Sequence, residues 1–349
     1  MKRHYPAIRG LAILLVVLNH TVTLGQATPL EWGYPPAGTT LETILLFLKL
    51  IGWYAVPIFL FISGSFFAYA AQGDPPAISR KIVQNNVIHL IWPYLIWSVA
   101  FFGLLFIGYG QTFSPLGYIK NLLIGYPYHF IPLILFYFLV SPLLLRVSQR
   151  TGWIFILLIV ALYQAFLILA LDGAKFGVTL PGWTSWLVVP VLARTFADWG
   201  IYFPLGLFLT LNNNVVMPKL EKYKIVFLAT SLVFFGLAFL HSLRIVHMPY
   251  VNHIYPLAFV FFLPVMKRGW IPRTRFFETV GKRAFGVYLM HLLVIDSVLL
   301  LANAFFPLLL TSQIILQPIL FLLAAGIPLV VMNFAARRLK GGSYRIIFG

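Results

Sequence analysis

The sequence contains no cysteine, so disulfide cross-links, thiolate metal sites and a cysteine nucleophile are all excluded. It is almost as poor in acid: eight Asp and Glu stand against 25 Lys and Arg, a formal net charge of +17. Charged residues of either sign make up only 9% of the 349 positions while 61% are hydrophobic. No stretch of about 100 residues has the balanced composition a soluble domain needs. What fills the chain instead is a series of apolar runs, each near the roughly 20 residues that cross a bilayer as a helix. The fold class this implies is an all-α polytopic membrane protein, with 1–340 as one membrane domain and 341–349 as a short basic tail.

Runs bounded by charges, Pro and Gly place ten spans near 7–24, 43–71, 86–109, 128–146, 153–171, 194–211, 223–242, 248–266, 283–302 and 312–335. Loop charge orients them. With the N-terminus inside, one set of loops and ends holds nineteen Lys and Arg, from Lys2 and Arg3 to Arg337, Arg338, Lys340 and Arg345, and the other holds only Lys120, Lys175 and Arg244. This bias recurs loop by loop, predicts both termini in the cytoplasm, and accounts for the positive charge without nucleic acid as a partner. The basic start and the apolar run 11–18 also look like a secretory signal, but Arg9 and His20 are odd flanks for one, and the segment is read as a retained span. The Trp-rich stretch 183–193, interrupted by Pro190, is expected to lie in the outer interface or re-enter rather than cross.

Ionisable groups inside a span are costly and mark function by default. The first run carries two, Arg9 and His20, in R-G-L-A-I-L-L-V-V-L-N-H. Eleven residues at about 100° each come within roughly 20° of three full turns, so both side chains share one face about 16 Å apart along the axis. That spacing suits an elongated substrate with an anionic head near the cytoplasm and a reactive end deep in the protein. The competing reading sends Arg9 and His20 to the inner and outer headgroups by snorkelling, although Asn19 beside His20 adds a second polar group that lipid would not tolerate. An imidazole, with an ordinary pKa near 6.5, is suited to act as a general base or a nucleophile.

Other polar positions are less specific. Pro57 breaks the ladder of the second run, and Ser63-Gly64 reads first as a close helix approach. Arg80 and Lys81 stand at its inner mouth, where orientation charge is the plain explanation. His129 opens the fourth run. Arg194 and Asp198 are four apart, neighbours on a helix that either neutralise one another or meet a substrate. In G-K-R-A-F-G-V-Y-L-M-H of the ninth run, Tyr288 and His291 share a face, and His291 alone reads as a core histidine.

Four blocks in order, R-G-L-A-I-L-L-V-V-L-N-H, V-P-I-F-L-F-I-S-G, Y-H-F-I-P-L-I-L-F-Y-F-L-V-S-P-L-L and G-K-R-A-F-G-V-Y-L-M-H, make the chain resemble the acyltransferase 3 family of integral membrane acyltransferases, which O-acylate bacterial surface carbohydrates. The resemblance implies transfer of an acyl group, usually acetyl, from cytoplasmic acyl-CoA to a hydroxyl or amine acceptor on an extracytoplasmic glycan or lipid-linked sugar. It places the protein in the bacterial inner membrane among lipids, with acyl-CoA as co-substrate and with no tightly bound cofactor or metal. His20 looks like the family's essential histidine, Arg9 like its partner, and Arg80 like the basic residue required after the second helix. Lys81 and Ser63 join Arg80 as donor-side candidates, His129, Arg194 and Asp198 are acceptor-side candidates, and Asn19, Tyr288 and His291 complete the set. Two departures stand out: the arginine cluster after the second helix is reduced to Arg80-Lys81, and the usual His-x-Trp of the fourth helix reads His129-Phe130-Ile131. The rival reading from another class is a transporter or flippase using the same polar track; a structural subunit of a polysaccharide assembly is a third.

Overall fold

Every one of the ten apolar runs folds as helix, but not every run forms one straight rod. In the computed structural model, which describes residues 4–349, α1 spans Tyr5–Glu31, α2 Thr39–Gly52, α3 Ala55–Ala70, α4 Arg80–Tyr109, α5 Pro115–Ile124, α6 Phe130–Thr151, α7 Trp153–Asp172 and α8 Ala193–Trp199. The chain continues with α9 Tyr202–Leu211, α10 Asn213–Ser242, α11 Val251–Phe262, α12 Thr274–Lys282, α13 Ala284–Phe305, α14 Pro307–Leu310, α15 Gln313–Arg338 and α16 Gly341–Phe348. Eight segments are long and apolar enough to cross a membrane: α1, α2 with α3, α4, α6, α7, α10, α13 and α15. The runs near 194–211 and 248–266 are shorter, so where ten full spans were expected there are eight long helices and two short apolar ones. Lys2 and Arg3 lie outside the described residues.

The breaks have local causes. Pro57 lacks the N–H that would reach back to Trp53, and the second run divides into α2 and α3 there. Backbone oxygens at the end of α2 accept from side chains of other helices: Asn19 Nδ2 donates to Lys49 O at 2.9 Å, and the Tyr255 hydroxyl to Leu50 O at 3.0 Å beside the Trp53 N–H. The sixth run breaks at Gly200-Ile201 for the same reason, because Pro204 cannot donate to Gly200 O, which accepts from the Tyr137 hydroxyl instead. Gln164 of α7 slots its amide into the neighbouring rung, donating to Ala197 O at 2.9 Å and accepting from Ile201 N at 2.8 Å. Broken backbone at membrane depth is thus kept satisfied by protein rather than water.

Two glycine crossings set the packing. A Cβ at Gly64 would land on the Phe203 carbonyl and one at Gly206 on the Phe61 carbonyl, so α3 and α9 meet backbone to backbone. Gly10 of α1 and Gly281 of α12 do the same through the Phe277 and Pro6 carbonyls. The packing role read for Gly64 in the sequence is the one it has.

The start of α1, α12, the start of α13, the first half of α4, the end of α15 and α16 gather at one end of the bundle, the end rich in Lys and Arg; we call it the basic face. The end of α1, the end of α4, the end of α13 and the start of α15 form the far face. The segment 341–348, read from sequence as a tail, is the helix α16, with Phe348 buried and Ile347 O accepting from Trp97 Nε1 at 2.8 Å. Trp183 and Trp186 sit exposed on a 3-10 turn over Gly182–Leu187, which does not cross.

Candidate active site

Of the two ionisable α1 residues singled out from the sequence, Arg9 lines a cavity and His20 does not. Near the basic face, Arg9 lines a cavity of about 300 Å³ together with Ser63 of α3, Asn86 and His89 of α4, Lys282 of α12, Arg283, which precedes α13, Tyr288 of α13 and Tyr344 of α16. Neither Arg9, Lys282 nor Arg283 is in an ion pair; among the described residues the ion pairs are Lys175 and Arg194 with Asp172, Arg194 with Asp198, Lys224 with Glu221, and Arg268 with Glu278. Three unpaired cations around one cavity leave it electropositive, a setting for an anion.

From the inner wall of that cavity a file of rings leads to His20. Tyr288 packs against Phe130 with ring centroids 4.4 Å apart and against His291 at 5.7 Å, and His291 lies 5.1 Å from His20. Tyr128, fully buried, ties the loop before α6 to α13 through a hydroxyl donated to Leu289 O at 2.5 Å. His291 Nδ1 lies 2.6 Å from Tyr288 O one turn back, which makes Nδ1 the protonated nitrogen of a neutral ring and leaves Nε2 a lone pair. That Nε2 is buried with no hydrogen-bond partner among the described residues. His20 is the nearest ring that can supply a proton to it.

Around His20 stand two further basic groups, His129 at the exposed start of α6 and Lys49 in the last turn of α2, both within electrostatic reach of its ring. Asn19 is a peg rather than a reactant: its amide closes the end of α2, and Gly52 leaves room for its Cβ.

The structure therefore brings Arg9, Ser63 and Tyr288 to one cavity, and groups His20 with His291 behind Tyr288, with His129 within electrostatic reach of His20. It leaves others outside. Arg80 and Lys81 are exposed in the first turn of α4 and do not line the cavity, and the basic residues that do are Lys282 and Arg283, read from the sequence only as orientation charge. Arg194 and Asp198 pair at 3.3 Å through Asp198 Oδ2, and Arg194 also holds Asp172 at 2.7 Å, stapling α8 to the end of α7, while Asp198 Oδ1 is buried with no hydrogen-bond partner among the described residues. Lys49 and Asp296 were given no role from sequence, although a charge inside an apolar run was the available signal. No cluster of three or more His, Asp or Glu that could hold a metal ion occurs among the described residues.

Residues 6–337 match the acyltransferase 3 family, described as an acyltransferase domain. The chain belongs to that family. Curated relatives of this acyltransferase include proteins of three Staphylococcus aureus strains, MRSA252, MSSA476 and NCTC 8325, each named a probable poly-β-1,6-N-acetyl-D-glucosamine export protein. Each is 22% identical over 314 residues, covering 85% of this chain and 83% of the relative. No solved structure matches the chain.

Proposed function

We propose that the protein transfers an acyl group from acyl-CoA, bound at the basic face, to a hydroxyl of a polysaccharide or lipid-linked sugar at the far face. The observation that supports this reading is the packing of the histidine pair behind the cavity wall: Arg9 and Tyr288 line the same space, and Tyr288, His291 and His20 follow one another at ring spacings of 5.7 and 5.1 Å. Phosphates of coenzyme A would sit against Arg9, Lys282 and Arg283, where charge-assisted hydrogen bonds to guanidinium are strong. The thioester arm would pass Ser63 and Tyr288 toward His20.

At that point His20 takes the proton of the acceptor hydroxyl as its oxygen attacks the thioester carbonyl; the carbon–sulfur bond breaks, and the CoA thiolate leaves and is protonated. His291 is a positioning residue. Its Nε2 lone pair can accept the N–H of one His20 nitrogen, leaving the other free to act as base. Acceptor identity follows the relatives, whose name specifies a polysaccharide.

The test is genetic and chemical. The gene carrying His20→Ala is expressed in a strain lacking the wild-type copy, and surface polysaccharide is quantified together with its O-acyl groups by NMR. Loss of O-acyl groups with the amount of polysaccharide unchanged is expected. Loss of surface polysaccharide itself, with acylation of the remainder intact, would replace acyl transfer by export.

A further inference from the structure

Toward the far face, α13 carries one charged residue, Asp296, which the mechanism above does not use. Asp296 is 7% exposed, has no hydrogen bond or ion pair among the described residues, and has no charged side chain close enough to act on it. A carboxylate withdrawn from water without a donor is costly, and a protein keeps one where a ligand completes it. Three tyrosines lie within its electrostatic reach: Tyr109 at the end of α4, Tyr126 in the loop before α6, and the buried Tyr128. Trp32, which follows α1, stacks on Tyr109 at 6.3 Å and 27°. Tyr109 and Trp32 keep part of their surface open.

Asp296 lies five residues beyond His291, about 7.5 Å nearer the far face and about 140° around α13, so it does not share the His291 face. Its link to the chemistry runs through Tyr126, which is within its electrostatic reach and whose ring lies 6.1 Å from that of His129, a group that acts on His20. Flat aromatic faces cover the C–H side of a sugar, and a carboxylate accepts from its hydroxyls. The neighbourhood of His20 meanwhile disfavours a cationic amine, because Lys49 and His129 stand beside it.

We infer that Asp296, with the rings of Tyr109, Tyr126 and Trp32, is an acceptor subsite that holds one neutral sugar ring while a hydroxyl of that sugar reaches His20. The assignment rests on the acyltransferase reading with a glycan acceptor. It makes Asp296 a group kept for function against stability, which gives the test two readouts of opposite sign.

Protein in nanodiscs is examined by saturation-transfer difference NMR with three probes: cellobiose, N,N′-diacetylchitobiose and free-amine chitobiose. Thermal unfolding and CoA release from acetyl-CoA are followed in parallel. Wild type is expected to saturate at least one neutral probe, and Asp296→Leu to lose at least tenfold of that signal while unfolding at the same or a higher temperature. Trp32→Ala, at a half-exposed position, should weaken the same probe. Absence of binding by wild type, binding unchanged in Asp296→Leu, or binding of chitobiose alone would each overturn the subsite. Sugar binding lost in Asp296→Leu in a protein whose wild type releases no CoA would uphold the subsite and remove the acyl-CoA reading instead.

Discussion

Replacing Arg9 by methionine separates a ligand-binding charge from a structural one. Arg9 lines the cavity and makes no ion pair in the protein, so its removal orphans no carboxylate and opens no network. Methionine keeps most of the aliphatic stem that packs along α1. The whole cost should therefore fall on the anionic ligand. A hydrogen bond to a charged group contributes about 1.5–3 kcal/mol, which corresponds to a rise of roughly 10- to 150-fold in KM for acetyl-CoA. Turnover at saturation should change far less, because Arg9 stands about 16 Å along the helix from His20. The assay is CoA release in nanodiscs at varied acetyl-CoA, beside thermal unfolding of the unliganded protein. An unfolding temperature that drops by several degrees with KM unchanged would refute the reasoning and make Arg9 a structural or headgroup-anchoring residue.

Further outcomes follow from the same geometry. Arg80→Ala with Lys81→Ala should shift KM for acetyl-CoA by less than Lys282→Ala with Arg283→Ala, since only the second pair lines the cavity; the reverse order in the same assay would restore the residues after the second helix as the donor grip. Gln164→Leu removes both partners of a broken rung, at about 1–3 kcal/mol for each orphaned group, and should lower the unfolding temperature without altering KM for the donor. Gly206→Ala forces a methyl onto the Phe61 carbonyl and should cost about 1–3 kcal/mol, read as loss of monodisperse protein on heating.

Much of the architecture could be read before the structure because lipid imposes simple rules. Composition and loop charge located all ten apolar runs, and the Arg9–His20 spacing placed the two ends of a track on one helix face. The breaks were harder. Pro57 signalled one, but Pro204 passed unnoticed, since the partners that make its break tolerable, Gln164 and Tyr137, are distant in sequence. Site residues divided in the same way. His20 and Arg9 stand out as charges in an apolar run, whereas Lys282 and Arg283 look like any loop charges until α12 folds back against Gly10 and turns them toward the cavity. His291 reads as a core histidine, and only its partnerless Nε2 beside His20 gives it a second meaning. The i,i+4 pairing of Arg194 with Asp198 was legible, but Asp172, which Arg194 also holds, is 22 residues away and was not.

The claim that joins these observations is that acyl-CoA reaches His20 from the basic face. Its most direct test is release of free CoA from acetyl-CoA by the purified protein in nanodiscs, wild type beside His20→Ala and His291→Ala. The account predicts release by wild type, none by His20→Ala, and reduced release by His291→Ala with the donor still bound in all three. Equal release by wild type and His20→Ala would contradict it.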